Sequence, residues 1–223
     1  VDAGLLLLSI GSSAGYLALR SIVPFTIVVA LKALSIAPLA ILALRVLGKA
    51  AARRHAHLVL AAALTLSCLG DVLLAVDPRR YFGYALLVFL LAHLAYILLF
   101  LRSWPRPLRP GGLRLILATL VVISGLLVTS WLAPGLGPHA VPVLIYAATI
   151  TAMAVSAILA RFSRPFVWIG AILFMVSDSL IAAARFVTGW SPASYLIWPT
   201  YYLGQYGIAI GFLRETAGDR PDA

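Results

Sequence analysis

Five side chains stand where their chemistry needs a reason: Lys32, Asp71, His93, Asp178 and Gln205 each interrupt a long apolar run. An Asp or Lys at the centre of a membrane helix costs ~2.5–3.5 kcal/mol on insertion scales. Such residues mark relays, ion paths or reaction sites. Two carboxyl groups permit a division of labour, with one protonated as general acid and the other ionised as base or cation stabiliser. Burial disfavours the charged form of a carboxyl, and a neighbouring cation favours it. Two aspartates sharing one lysine can therefore be held in different protonation states.

Helical phase groups further residues with these five. Ser67 and Asp71 are four apart and share a face, and Asp178 and Arg185 are seven apart and share another. Phe89, His93, Tyr96 and Phe100 form one stripe; Tyr202, Gln205 and Phe212 form a second. Plainer readings exist for several of them. Lys32 can serve only to neutralise an aspartate. His93 and Gln205 can be interhelical hydrogen-bonding groups, and the aromatic stripes can be packing. Gly204, Gly207 and Gly211 fit close helix approach and not chemistry. Two aspartates with a single buried lysine are harder to reduce to structure.

The elements that must position these groups follow from composition. The chain has 223 residues, of which 63% are hydrophobic and 11% charged. That charged share is about half the norm for a soluble domain, so the chain reads as an all-α integral membrane protein. Apolar runs near the ~20 residues needed to cross hydrocarbon predict a bundle of eight transmembrane helices. Their approximate bounds are 3–19, 23–44, 57–76, 82–101, 113–132, 141–160, 166–186 and 195–213. Residues 1–213 read as one transmembrane domain and 214–223 as a short tail, with no appended soluble domain. No positive region precedes Leu5–Ile10, so that run reads as the first span and not a signal peptide.

The formal charge is +10. Nucleic acid is not the implied partner, because the cations sit in short gaps between apolar runs, where they set orientation. Arg45, Lys49, Arg53, Arg54, Arg102, Arg106, Arg109, Arg114, Arg161, Arg164, Arg214 and Arg220 fall on one side; Arg20, Arg79, Arg80 and Arg185 fall on the other. This asymmetry predicts both termini in the cytoplasm. It also places Lys32, Asp71, His93, Asp178 and Gln205 in one layer between the midplane and the non-cytoplasmic face. A water-filled pocket opening on that side accounts for such a layer. Cys68 is the only cysteine, which rules out an intrachain disulfide and a thiolate metal cage.

Two segments look alike. Gly70-Asp71-Val72-Leu73-Leu74-Ala75 precedes Arg79 and Arg80, and Ser177-Asp178-Ser179-Leu180-Ile181-Ala182 precedes Arg185. Phe89-Leu-Leu-Ala-His93 compares with Tyr201-Tyr-Leu-Gly-Gln205. The pattern suggests two parallel four-helix repeats, each delivering one aspartate.

Ser67-Cys-Leu-Gly-Asp71, Phe89-Leu-Leu-Ala-His93-Leu-Ala-Tyr96, Gly170-Ala-Ile-Leu-Phe-Met-Val-Ser177-Asp178-Ser-Leu-Ile-Ala182 and Tyr201-Tyr-Leu-Gly-Gln205 resemble the YhhN-like family of lysoplasmalogenases. Lys32 in a Leu-rich second span is similar too, although Ala33 stands where the family pattern has Pro. The resemblance covers nearly the whole chain. It implies eight spans and a hydrolase that cleaves the vinyl ether of lysoplasmalogen, giving a fatty aldehyde and glycerophosphocholine or glycerophosphoethanolamine. The partner it implies is a lysophospholipid within the bilayer of a cell or inner membrane.

Vinyl ethers are stable to base and labile to acid, which suits a two-carboxylate site of the glycosidase kind. The sequence does not assign which aspartate takes which role; the preferred reading makes Asp178, at the deeper site, the acid and Asp71, paired with Lys32, the base. His93 and Tyr96 position water. Tyr202, Gln205 and Ser177 line the pocket, and Arg185, with Arg79 or Arg80, holds the phosphate. No cofactor or metal is expected, since H-x-x-H and H-E-x-x-H spacings do not occur and Lys32 would repel a cation. The rival readings are a proton-coupled small-molecule or lipid transporter, a metal-dependent intramembrane hydrolase, and a non-catalytic scaffold.

Overall fold

The computed structural model describes residues 2–47, 53–105, 111–160, 162–187 and 194–218. The described chain is all-α, with eight helices: α1 (Ala3–Leu19), α2 (Phe25–Arg45), α3 (Arg54–Val76), α4 (Phe82–Leu101), α5 (Gly112–Leu132), α6 (Ala140–Leu159), α7 (Phe166–Phe186) and α8 (Ser194–Gly218). Helices lie where the eight spans were expected, to within a few residues at most ends. Pro24 explains why α2 begins at Phe25 and not at 23: a residue without an N–H suits a helix start. At the other end of the chain α8 runs on to Gly218, past the apolar run, where Glu215 accepts hydrogen bonds from the backbone N–H and hydroxyl of Ser163. Lys49, Arg106, Arg109, Arg161 and Arg220, which entered the orientation argument, lie outside the described residues.

Six helices, α2 to α7, are long and apolar enough to cross a membrane. The α1 helix is apolar but has only 17 residues. The α8 helix is longer but carries Pro199, Gln205, Arg214 and Glu215. Leu113, Leu120, Leu126, Leu127 and Leu203 are among many large apolar side chains left exposed. A soluble monomer rarely shows that much apolar surface, whereas a bilayer solvates it.

The chain divides into two compact units, Val1–Leu99 and Phe100–Ala223. In the first, α2 packs on both α1 and α3. Asp2 caps the start of α1 and pairs with Arg45 at the end of α2. Ser9 on α1 donates to the Ser35 carbonyl on α2 at 2.6 Å. Such bonds matter in a membrane bundle, where apolar burial does not by itself drive helix association.

In the second unit α5, α6 and α7 pack on one another, and α7 packs most extensively on α8. The α7–α8 contact is a glycine crossing. A Cβ on Gly204 would lie 2.8 Å from the Phe174 backbone nitrogen, and one on Gly170 would lie 2.7 Å from the Gly204 carbonyl oxygen. Gly207 and Gly211 face the backbone of Phe166 and the start of α7 in the same way. The expected close-packing role of Gly204, Gly207 and Gly211 is therefore met, with Gly170 as their partner on α7. Arg114 at the start of α5 donates to the carbonyls of Ile158, Ala160 and Phe162, which satisfies the open end of α6.

Candidate active site

Among the described residues each unit carries one buried aspartate, on its third helix: Asp71 on α3 and Asp178 on α7. In the first unit the Lys32 ammonium of α2 lies 3.7 Å from Asp71 Oδ1. The same ammonium sits over the Tyr16 ring of α1, 5.5 Å from its centroid. The lysine is thus shared between a carboxylate and an aromatic face, both of which attract a cation. Around this pair, Ser67 lies one turn along α3, buried on the same face as Asp71. Its side chain meets Tyr96 of α4. Cys68 donates to the Ala33 carbonyl at 3.7 Å, tying α3 to the turn of α2 that carries Lys32. His93 and Tyr96 are fully buried, as is Phe100 of the same stripe, and Phe89 is buried.

In the second unit α5, α6 and α7 line a small, mostly apolar cleft of about 40 Å3. Asp178 lines it from α7 and Tyr146 from α6, and the Tyr146 hydroxyl donates to Asp178 Oδ2. One turn below, Gly125, Thr151 and Met175 close together: a Cβ on Gly125 would lie 2.6 Å from Thr151 Oγ1. Above, Leu132, Leu136 and Val143 join Ala183 in an apolar cluster against which Phe186 packs. The 3₁₀ turns Ala133–Gly135 and Gly137–His139 lie over the end of α7, where Gly135 sits so close to the Phe186 carbonyl that a Cβ would meet it at 2.1 Å. The result is one carboxyl in a mostly apolar slot that also carries the hydroxyl residues Thr129, Thr151 and Ser179, with one phenol donating to the carboxyl.

The other expected residues distribute as follows. Arg185 is exposed on the last turn of α7, with its guanidinium 5.9 Å from the Phe186 ring centre. Ser177 is buried and donates to the Ile197 carbonyl of α8 at 2.9 Å. Tyr202 and Gln205 are buried in α8, and the Gln205 amide reaches the Tyr201 hydroxyl at 3.4 Å. His93 and Gln205 are each the twelfth residue of their helices, α4 and α8. Among the described residues no three His, Cys, Asp or Glu side chains converge as a metal site would require.

Sequence reasoning did not single out Tyr146 or Tyr16. A tyrosine is common in membrane helices, and its partner shows only in three dimensions. The available signal was that Tyr146 carries one of the few polar groups in α6.

An all-helical chain with six membrane-length apolar helices and two buried aspartates defines a multi-pass membrane protein. Its residues 27–212 match the model of the YhhN family, and the chain belongs to that family. It is 37% identical over 153 residues to a lysoplasmalogenase of Mycobacterium bovis, covering 67% of this chain and 58% of that protein. It is 34% identical over 158 residues to the rat (Rattus norvegicus) lysoplasmalogenase TMEM86B, covering 70% and 62%. It is 33% identical over 156 residues to the bovine (Bos taurus) lysoplasmalogenase TMEM86A, covering 66% and 62%. The matches thus span about three fifths of the length of these curated relatives. No solved structure matches the chain.

Proposed function

We propose that this chain is a lysoplasmalogenase, a hydrolase of the vinyl-ether bond of lysoplasmalogen, working by acid–base catalysis with Asp71 and Asp178. The observation that carries the reading is a buried carboxyl, Asp178, on the wall of an apolar cleft. The names of the relatives supply the bond. A vinyl ether needs a proton delivered to its β-carbon in a site that also takes an alkyl chain, and an acid in a greasy slot meets both needs.

The roles divide by environment. Asp71 is the carboxylate of an ion pair with Lys32, so it fills the charged role. The protonated role falls to Asp178. Its proton adds to the β-carbon, the C=C π electrons form the new C–H bond, and the ether oxygen shares the resulting positive charge as an oxocarbenium ion. Asp71 stabilises that cation and accepts a proton as water attacks. The hemiacetal then collapses to fatty aldehyde and a free glycerol hydroxyl, giving glycerophosphocholine or glycerophosphoethanolamine. The overall change is addition of one water, and each carboxyl returns to its starting state by proton exchange.

In this account His93 and Tyr96 position water, Tyr202, Gln205 and Ser177 form pocket wall, and Arg185 holds the phosphate. All eight helices cross the bilayer, with both termini in the cytoplasm. Asp71→Asn and Asp178→Asn each abolish aldehyde release from vinyl-ether lysolipid, while both proteins stay inserted and monodisperse in detergent. Full turnover by either variant overturns the assignment.

A further inference from the structure

The phenol on α6 has a place in this chemistry beyond filling space. We infer that Tyr146 is the positioning residue of the acid: it fixes the plane of the Asp178 carboxyl and stabilises the carboxylate left when the proton departs. The inference rests on the reading of Asp178 as general acid. Tyr146 donates to Oδ2, so the transferable proton resides on the other oxygen, Oδ1. Tyr146 and Asp178 line the same cleft, so the carboxyl is held at the place where an apolar chain would lie.

The energetics give this contact a kinetic signature. Before reaction Asp178 is neutral, and a phenol donating to a neutral acid makes an ordinary hydrogen bond. As the proton moves to carbon, negative charge grows on the carboxyl, and the same bond becomes charge-assisted and roughly twice as strong. An interaction that strengthens only on the way to the transition state raises kcat and leaves substrate affinity alone. The surroundings keep the pair in place. The Gly125–Thr151–Met175 closure lies below it and the Leu132–Leu136–Val143 cluster above it. The Tyr146 side chain is therefore held between two packed layers of the slot.

The test is Tyr146→Phe, which keeps the ring and removes only the hydroxyl. With 1-alkenyl lysophosphatidylcholine as substrate, kcat falls about 5- to 10-fold, the difference between a hydrogen bond to a charged group and one to a neutral acid, while KM stays within about twofold. Unchanged kcat overturns the proposal, as does a KM that rises with kcat preserved. A second measurement needs no turnover. The apolar reagent dicyclohexylcarbodiimide adds to a protonated carboxyl in an apolar site, and peptide mass analysis reads the adduct at Asp178. Labelling begins with transfer of the carboxyl proton to the reagent, so without the phenol Asp178 labels several-fold more slowly in Tyr146→Phe than in the wild type; an equal or faster rate overturns the proposal.

If Phe at 146 prevents folding, 3-fluorotyrosine at 146 preserves the shape and strengthens the donor. Asp178 then labels faster than in the wild type, and an unchanged or slower rate again overturns the proposal. A wild type that labels at Asp178 but releases no aldehyde sinks the hydrolase reading, and the labelling comparison still decides whether Tyr146 governs this carboxyl.

Discussion

Replacing Lys32 with Met isolates the ion pair of the first unit. The pair is 3.7 Å long, with the lysine side chain 13% exposed and the aspartate 5%. At that distance and an effective dielectric of about 20, unit charges attract by roughly 4 to 5 kcal/mol. Removing one partner of a buried pair typically costs about 3–5 kcal/mol, because the other charge is left in an apolar place. Part of that loss is recovered when Asp71 binds a proton in place of the lysine. The expected net cost is about 2–4 kcal/mol, a fall of roughly 5–15 °C in Tm for a chain of this size. The second substitution decides the cause. In Lys32→Met/Asp71→Asn no charge is stranded, so at least half of the lost stability returns, although activity does not. Tm in one detergent, measured for wild type, both single variants and the double, closes the cycle. A double variant as unstable as Lys32→Met refutes the electrostatic reasoning and leaves packing of the lysine stem as the cause.

Two further perturbations probe the scaffold. Gly204→Leu forces a side chain against the α7 backbone, 2.8 Å from the Phe174 nitrogen. It destabilises by about 1–3 kcal/mol or more, whereas Gly83→Ala, with nothing within 4 Å, is neutral or gains up to about 1 kcal/mol; Tm checks both. Asp77 after α3 accepts the backbone N–H groups of Arg80 and Arg79, which hold its carboxyl below its ordinary range. A depressed carboxyl adds stability above its ordinary value, and that stability is lost as pH falls through its folded value. The Tm gap between wild type and Asp77→Ala is therefore fully open near pH 6 and narrows as pH falls below the ordinary aspartate value of about 4.

The bundle was largely legible in the sequence because a bilayer leaves little choice: a chain must hide its backbone polar groups in helices, and run length sets their number. The end of α8 was less legible, since Glu215 extends the helix by bonding to Ser163, a partner 52 residues away. The aspartates were legible because a charge in an apolar run is conspicuous. The pairing of Lys32 with Asp71 followed from the scarcity of buried cations. Tyr146 and Tyr16 were not legible. A tyrosine in a membrane helix excites no suspicion, and the hydrogen bond to Asp178 and the contact with Lys32 depend on helix rotation that sequence spacing within one span does not determine. Ser177 shows the converse: it stands beside Asp178 in a distinctive motif, yet its hydroxyl is engaged by the Ile197 carbonyl of α8.

The central claim is the bond that is broken. Detergent-purified protein is incubated in parallel with 1-alkenyl lysophosphatidylcholine and its 1-acyl ester analogue, and both fatty aldehyde and fatty acid are measured. The account predicts aldehyde from the vinyl ether and no fatty acid from the ester, because proton delivery to carbon cleaves only the former. Fatty acid from the ester, or no aldehyde from the vinyl ether, contradicts it.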